Sequence, residues 1–338
     1  MRALRLDFDD RQLTIADHQE PPGPGAGEVR LRLIEGGVCG TDRSVAGFEF
    51  GAPPAGERTL VLGHEAVGVV ENTGAHVFNL VAGDVVVPMV RRNCAPGCAM
   101  CRQGRRDNCL TGEYVERGIF GLHGYLCEYA VDQADDLVPV PNALTDVAVL
   151  VEPASVIEKA WELAQRLHPG DPARVLILGA GPIGILAAWC ALQNGYSVTV
   201  LSQESPDSAR AKLLTSNGVQ YTQTLDGVSA DIVFECCGSA ELAIASMRTL
   251  RRLGVLIILG ARPAEVQLPS LDMIIGNHII AGSVNASRMH FEQAVARLGG
   301  YDRRWLRPLL HRLPLADAAQ SLFHPPGSAV KIVHRITD

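Results

Sequence analysis

The chain has 338 residues, 47% of them hydrophobic and 20% charged, with a formal net charge of -7. That length suits two domains, and that composition excludes a disordered chain. The acidic balance argues against general binding to nucleic acid or to an anionic membrane, since both need net basic surface.

The opening stretch MRALRLDFDDRQL carries acids where a signal peptide needs an apolar run, and later apolar runs such as GVLIILGA are too short to span a bilayer. A cytoplasmic location is therefore expected, with no membrane partner. Thiols stay reduced there, so nine cysteines, an odd count, point to metal or catalysis rather than disulfides. From the N-terminus to about Pro141, short alternating runs are separated by Gly, Pro and Asp, the pattern of strands joined by turns. They include EVRLRLIEGG, AVGVVENTG and AGDVVVPMV. Three small motifs carry chemistry: GGVCGTD with Cys39, Thr41 and Asp42; LGHEAVG with His64 and Glu65; and LVEPASVIEK with Glu152. Singly each reads as an ordinary core or loop residue. Together, thiolate, imidazole and carboxylate supply the ligand types of a catalytic zinc with an exchangeable position.

RRNCAPGCAMCRQGRRDNC places Cys94, Cys98, Cys101 and Cys109 at spacings that suit a closed tetrahedral zinc site. The neighbouring Arg91, Arg92, Arg102, Arg105 and Arg106 read as a solvated basic surface on an acidic protein.

After Pro141 the texture changes. DVAVLVEPASVIEKAWELAQRL has helical spacing, and DPARVLILGAGPIGILAAWCALQNGYSVTVLS reads as buried strand, glycine turn, helix and second buried strand. ADIVFECCG, a helix over SAELAIASMRTLRRLG, and GVLIILGA continue the alternation, which predicts a doubly wound parallel sheet. Gly179, Gly181 and Gly184 have the spacing of a dinucleotide-binding turn, with Pro182 and Ile183 opening the helix whose N–H groups would face a pyrophosphate. At the end of the second strand, Ser202 and Gln203 stand where an acid would bind the ribose of NAD. No acid there repels a 2′-phosphate, and Arg210 and Lys212 reach one only if the next helix starts toward it, so NAD and NADP both stay open. Cys236 and Cys237 read as small packing residues, because vicinal cysteines rarely form an unstrained disulfide. MHFEQAVARLGG is expected as a helix and AVKIVHRI as a strand.

Cys-Gly-Thr-Asp, Gly-His-Glu, the four cysteines, Glu-Pro and GAGPIG follow one another over essentially the whole chain. In that order they resemble the zinc-dependent medium-chain alcohol/polyol dehydrogenases, a known case of Cys/His zinc ligation. RRDNCLTGEYVERGI, LHGYLCEYAVD, LVEPASVIEKA and GSVNASRMHFEQAV are most similar to archaeal-type glucose 1-dehydrogenases. The resemblance implies an α/β protein in three stretches. A GroES-like β-rich catalytic domain covers 1–145, with a zinc lobe near 91–110. A Rossmann domain covers 146–285, and 286–338 returns to the catalytic domain. It implies two zinc ions per chain: one on Cys39 and His64 with Glu65 and Glu152 in or beside the ligand set, the other on the four cysteines. Thr41 would pass a substrate proton outward. Glu116, Glu152 and Asn285 would meet a sugar or alcohol, with Asn285 also near the nicotinamide, and His123 is a further polar candidate. A homodimer or homotetramer is implied as well.

Three departures stand out. Val156 falls where the sugar enzymes carry an acid, Glu152 where some carry Gln, and the gap between Cys94 and Cys98 is one residue longer than usual. Other readings are a dehydrogenase of sorbitol, threonine or another secondary alcohol, a zinc-free reductase (disfavoured by Cys39, His64 and the four cysteines), and a DNA-binding or nucleotide-sensing regulator.

Overall fold

In the computed structural model, residues 1–260, 264–327 and 329–337 are described. The chain divides into two compact units, Met1–Ser155 with Asn285–Asp338, and Val156–Val284.

Among the described residues, the first unit is built on a sheet of seven strands. Its central strand Glu28–Gly37 alternates, turning Val29, Leu31 and Leu33 inward while Arg30 and Arg32 keep partial exposure. Glu65–Thr73 and Tyr129–Gln133 pair antiparallel with it. Lys331–Arg335 pairs with the same strand, so the C-terminal segment completes this sheet. The core joins Leu4, Leu6, Leu60 and Leu126 with Leu315, Leu322 and Ile332 from far along the chain. The segment Asn142–Leu150 is a 3-10 run, followed by the helix Val151–Leu167. Glu152, in the first turn of that helix, therefore belongs to the first unit.

In the second unit, among the described residues, six parallel strands run in the order Gln220–Thr222, Ser197–Leu201, Arg174–Leu178, Ala230–Glu235, Leu250–Ile258, Ile279–Gly282. This is the doubly wound arrangement: the chain starts at Arg174–Leu178, runs outward to Gln220–Thr222, then returns to the other side of the first strand at Ala230–Glu235. Residues 175–178 and 232–234 are continuous apolar runs because helices cover both faces of such a sheet. Trp161 closes one side, stacked on Phe234 with ring centroids 5.3 Å apart.

One expected helix is shorter than its pattern. Over 239–254 the helix is only Ala240–Ser246, followed by the 3-10 turn Met247–Thr249 and the strand Leu250–Ile258. Pairing of Leu250 with Ala230 pulls LRRLG into the sheet against its helical spacing. Ala261, the last residue of the GVLIILGA run, lies outside the described residues.

Candidate functional site

The catalytic-type cluster starts with a helix cap. The short helix Gly40–Ala46 begins after Cys39, whose Sγ accepts the N–H of Thr41 at 3.2 Å. Asp42 closes the cap, accepting the Cys39 N–H at 2.8 Å. Its other oxygen lies 3.2 Å from His64 Nδ1, which turns His64 Nε2 toward Cys39 Sγ at 3.1 Å. A carboxylate behind an imidazole fixes its tautomer and orientation, the usual support of a metal-binding histidine. Glu65 starts the next strand and pairs with Lys331, itself only 2% exposed, whose Nζ also donates to the Val38 carbonyl at 3.0 Å. Gly37 is required here, because a Cβ would run into the Glu65 carboxylate. Ligand atoms of Cys39, His64 and Glu65 all lie within 4.8 Å of one another.

Thiolate, imidazole and carboxylate at that spacing suit zinc. The electrostatics agree. Burial opposes charge on His64, but Asp42 and then Cys39 outweigh it and raise its pKa well above the ordinary imidazole value. A metal ion at this site would compete with that proton for His64. Glu152 is outside the close set but near enough to feel it. Burial first, then the charge of Glu65, pushes its carboxyl up to about 7. Thr41 stands in the first turn of the capped helix.

The four thiols of Cys94, Cys98, Cys101 and Cys109 likewise lie within 4.8 Å of one another. The longer first gap is absorbed by a turn in which Gly97, at φ 62, donates to the Cys94 carbonyl at 2.9 Å. Backbone N–H groups point at the sulfurs: Cys98 to Cys94 Sγ at 3.2 Å and Leu110 to Cys98 Sγ at 3.4 Å. The Leu110 donor, followed by Cys101, lowers the Cys98 pKa to about 6, so a thiolate forms readily there. Burial instead holds Cys101 at about 12 without metal.

Asn285 Nδ2 donates to Glu116 Oε1 at 2.9 Å, so these two expected substrate residues meet. Asn285 takes a positive φ of 63. In the second unit, Gly179 has φ 103, and a Cβ on Gly184 would strike the Gly179 carbonyl. Gly181 caps the helix Pro182–Gln193 and faces open space, with Pro182 and Ile183 leading that helix. Ser202 and Gln203 follow the strand Ser197–Leu201; Ser202 N–H bonds the Thr222 carbonyl, and the Gln203 carbonyl accepts from Gln223. Arg210 pairs with Glu204 at 2.7 Å and Lys212 with Asp207 at 3.5 Å.

Comparison with known proteins bears on the whole of this arrangement. Residues 25–142 match the alcohol dehydrogenase GroES-like domain, and residues 145–336 match the glucose dehydrogenase C-terminus. The chain belongs to the zinc-dependent medium-chain alcohol dehydrogenase family, in its glucose dehydrogenase group. It is 37% identical over 333 residues to glucose 1-dehydrogenase 1 of Caldivirga maquilingensis, covering 94% of this chain and 93% of the relative. With the glucose 1-dehydrogenase of Methanocella arvoryzae it shares 37% over 303 residues, 84% of each chain. The Haloferax mediterranei glucose dehydrogenase in complex with NADP, Zn and gluconolactone superposes with a TM-score of 0.91 at 29% identity, covering all of both chains.

Several residues of this dehydrogenase depart from the sequence expectation. The arginines around the cysteines are not a solvated surface. Arg91 and Arg106 are buried, and Arg92 sits between Asp132 at 2.7 Å and Asp136 at 2.8 Å. Of the five, only Arg102 is exposed. His123 is committed to structure: Nδ1 accepts the Val61 N–H at 3.2 Å and Nε2 meets Glu57 at 3.0 Å. Cys236 is half-buried, but Cys237 is exposed and is not the packing residue expected.

The roles of three residues were not found from the sequence. Lys331 lies far from Glu65 along the chain, and the only hint was a lysine inside an apolar strand. Asp42 and His64 were each visible in their motifs, but their pairing was not. Glu235 reads as a strand end, yet its Oε1 accepts the N–H groups of Cys237 at 2.7 Å and Gly238 at 2.5 Å, and its Oε2 that of Gly260 at 2.9 Å. It thereby ties together the loops after two neighbouring strands.

Proposed function

We propose that this protein oxidises an aldose, glucose in the first instance, at its anomeric hydroxyl, with NADP or NAD as hydride acceptor. The observation that carries the reading is the Cys39–His64–Glu65 cluster, braced by Asp42 and Lys331, in a chain of the glucose dehydrogenase group. Cys39 and His64 hold the catalytic zinc, with Glu65 and Glu152 beside it as alternative oxygen donors. Bound there, zinc would supply Lewis-acid polarisation of the substrate oxygen, and a nicotinamide would supply the hydride acceptor. Asp42 holds the Nδ1 side of His64 and so aims Nε2 at the metal position, where a bound zinc would replace its proton. Thr41, held by the cap, takes the substrate hydroxyl proton and hands it outward. Glu116 and Asn285 accept and donate hydrogen bonds to the sugar hydroxyls. Gly179, Gly181 and Gly184, with the N-terminus of the helix Pro182–Gln193, receive the pyrophosphate, while Ser202 and Gln203 lie beside the adenosine ribose. Cys94, Cys98, Cys101 and Cys109 hold a second, structural zinc.

No helix among the described residues is long and apolar enough to cross a membrane; the free thiols support a cytoplasmic enzyme. The test is an initial-rate screen of aldoses, polyols and simple secondary alcohols with both dinucleotides, on protein of measured metal content. The expected result is preference for an aldose and about two zinc per chain, one for each four-ligand site. Preference for sorbitol or another polyol would move the substrate assignment, and one zinc or none would overturn the two-site reading.

A further inference from the structure

We infer that Arg91 is a positioning residue for sugar recognition, through which the four-cysteine lobe sets the orientation of Glu116. The inference rests on the proposed role of Glu116 as a sugar-contacting carboxylate.

Arg91 is fixed on every side. Its guanidinium lies 3.7 Å from the centroid of the Tyr114 ring, a cation–π contact. Nη1 donates at 3.1 Å to the carbonyl of Asp107, in the 3-10 turn Arg106–Asn108 between Cys101 and Cys109. Nε donates at 2.9 Å to Glu116 Oε1. The Arg91 carbonyl in turn accepts from Arg106 Nη1 at 3.1 Å. A planar fork with donors fixed in two directions ties a lobe carbonyl to a carboxylate in a way a lysine point charge does not.

The backbone of Glu116 is held independently. Arg92 N–H bonds the Val115 carbonyl at 2.9 Å, and Arg117 N–H bonds the Val90 carbonyl at 3.0 Å. Arg91 is therefore not needed to place the strand; what it fixes is the carboxylate rotamer. Arg91 and Asn285 both take Oε1, which leaves Oε2 outside the clamp and aimed by it. A carboxylate pinned through one oxygen offers the other as a pre-oriented acceptor, and pre-orientation lowers the ordering cost of binding. The lobe that holds the second metal is on this account coupled to the sugar through three residues: Asp107, Arg91 and Glu116.

The experiment is a double-mutant cycle of Arg91→Met and Glu116→Gln on zinc-loaded enzyme. KM and kcat are read with glucose and with the dinucleotide, and sugar affinity is read by calorimetry. Arg91→Met is expected to raise the sugar KM and Kd about tenfold, the worth of one charge-assisted contact, with kcat, dinucleotide KM and zinc content unchanged. In the Glu116→Gln background the same change should add no more than about twofold, because Arg91 acts through the carboxylate. If the Met variant does not accumulate, Arg91→Lys carries the same cycle. An equal effect in both backgrounds, or a joint loss of kcat and of both affinities, would overturn the inference and leave a purely structural arginine. If Glu116→Gln leaves the sugar KM untouched, the substrate role of Glu116 itself falls.

Discussion

Cys39 does two things with one sulfur. It caps a helix through the Thr41 N–H and faces His64 Nε2, so the local fold and the metal donor set share an atom. Cys39→Ala removes the donor and weakens the cap. Turnover is expected to vanish while dinucleotide binding, followed by nicotinamide fluorescence, survives; persisting activity would refute the assignment of Cys39. The ligand types here were readable in the sequence because thiolate, imidazole and carboxylate close together have few other uses. Their supports were not: Lys331 reaches Glu65 only because the C-terminal strand pairs with Glu28–Gly37. Arg210 gives a second test at this scale. It lies in the first turn of the helix Ala209–Thr215, which follows Ser202 and Gln203, and pairs with Glu204; it is the guanidinium expected to turn to a 2′-phosphate. Arg210→Ala should raise the KM for NADP by about tenfold, one charge-assisted bond, and leave that for NAD unchanged. Equal effects on both would show that Arg210 does not read the phosphate.

The four cysteines were legible as one cluster, and the fold brings their thiols together, but the role of the flanking arginines was not legible. Clustered arginine reads as surface on composition alone. Whether it is surface depends on acids elsewhere, and here Asp132 and Asp136 meet Arg92, Arg106 and Arg117 inside the first unit. Burial alone would raise the Asp132 pKa; Arg117 and Arg92, with the Tyr125 hydroxyl, outweigh it and hold it below the usual carboxylate range. A depressed folded-state pKa gives stability that is complete above the unfolded value of about 4 and is lost as pH falls through the folded one. Urea unfolding from pH 7 down through about pH 3 should show that loss. Asp132→Asn leaves two buried cations short of a partner and should cost about 3–5 kcal/mol at neutral pH, with the acid dependence reduced. A cost under about 1 kcal/mol, as for an exposed pair, would mean that water already screens the network. The helix expected over 239–254 failed at the same scale, because parallel pairing with Ala230–Glu235 overrode helical spacing in LRRLG.

At the scale of the whole molecule, the second unit leaves the strand Ile279–Gly282 at the end of its sheet. Beside it in sequence, the helix Ser270–Gly276 exposes Leu271, Ile274 and Ile275. An open strand edge next to exposed large apolar side chains favours association between copies. A homo-oligomer built through this edge is therefore expected. Light scattering on the wild type should give a dimer or tetramer, and Ile274→Glu should shift it toward the monomer with the zinc content unchanged. A monomeric wild type would sink the expectation.

Local chemistry was enough to mark what the sequence could determine alone. Apolar runs between glycine turns gave the parallel sheet, cysteine spacing gave the lobe, and GAGPIG after a buried strand gave the dinucleotide turn, since each is written within a few tens of neighbouring residues. Tertiary structure decided what depends on partners distant in sequence. It brought Lys331 to Glu65, Asp42 to His64, and Asn285 with Arg91 to Glu116. It also placed Glu152 in the same unit as Cys39. The orientation of a buried charge is set by whichever opposite charge the fold delivers to it, and the order of residues along the chain does not contain that information in local form.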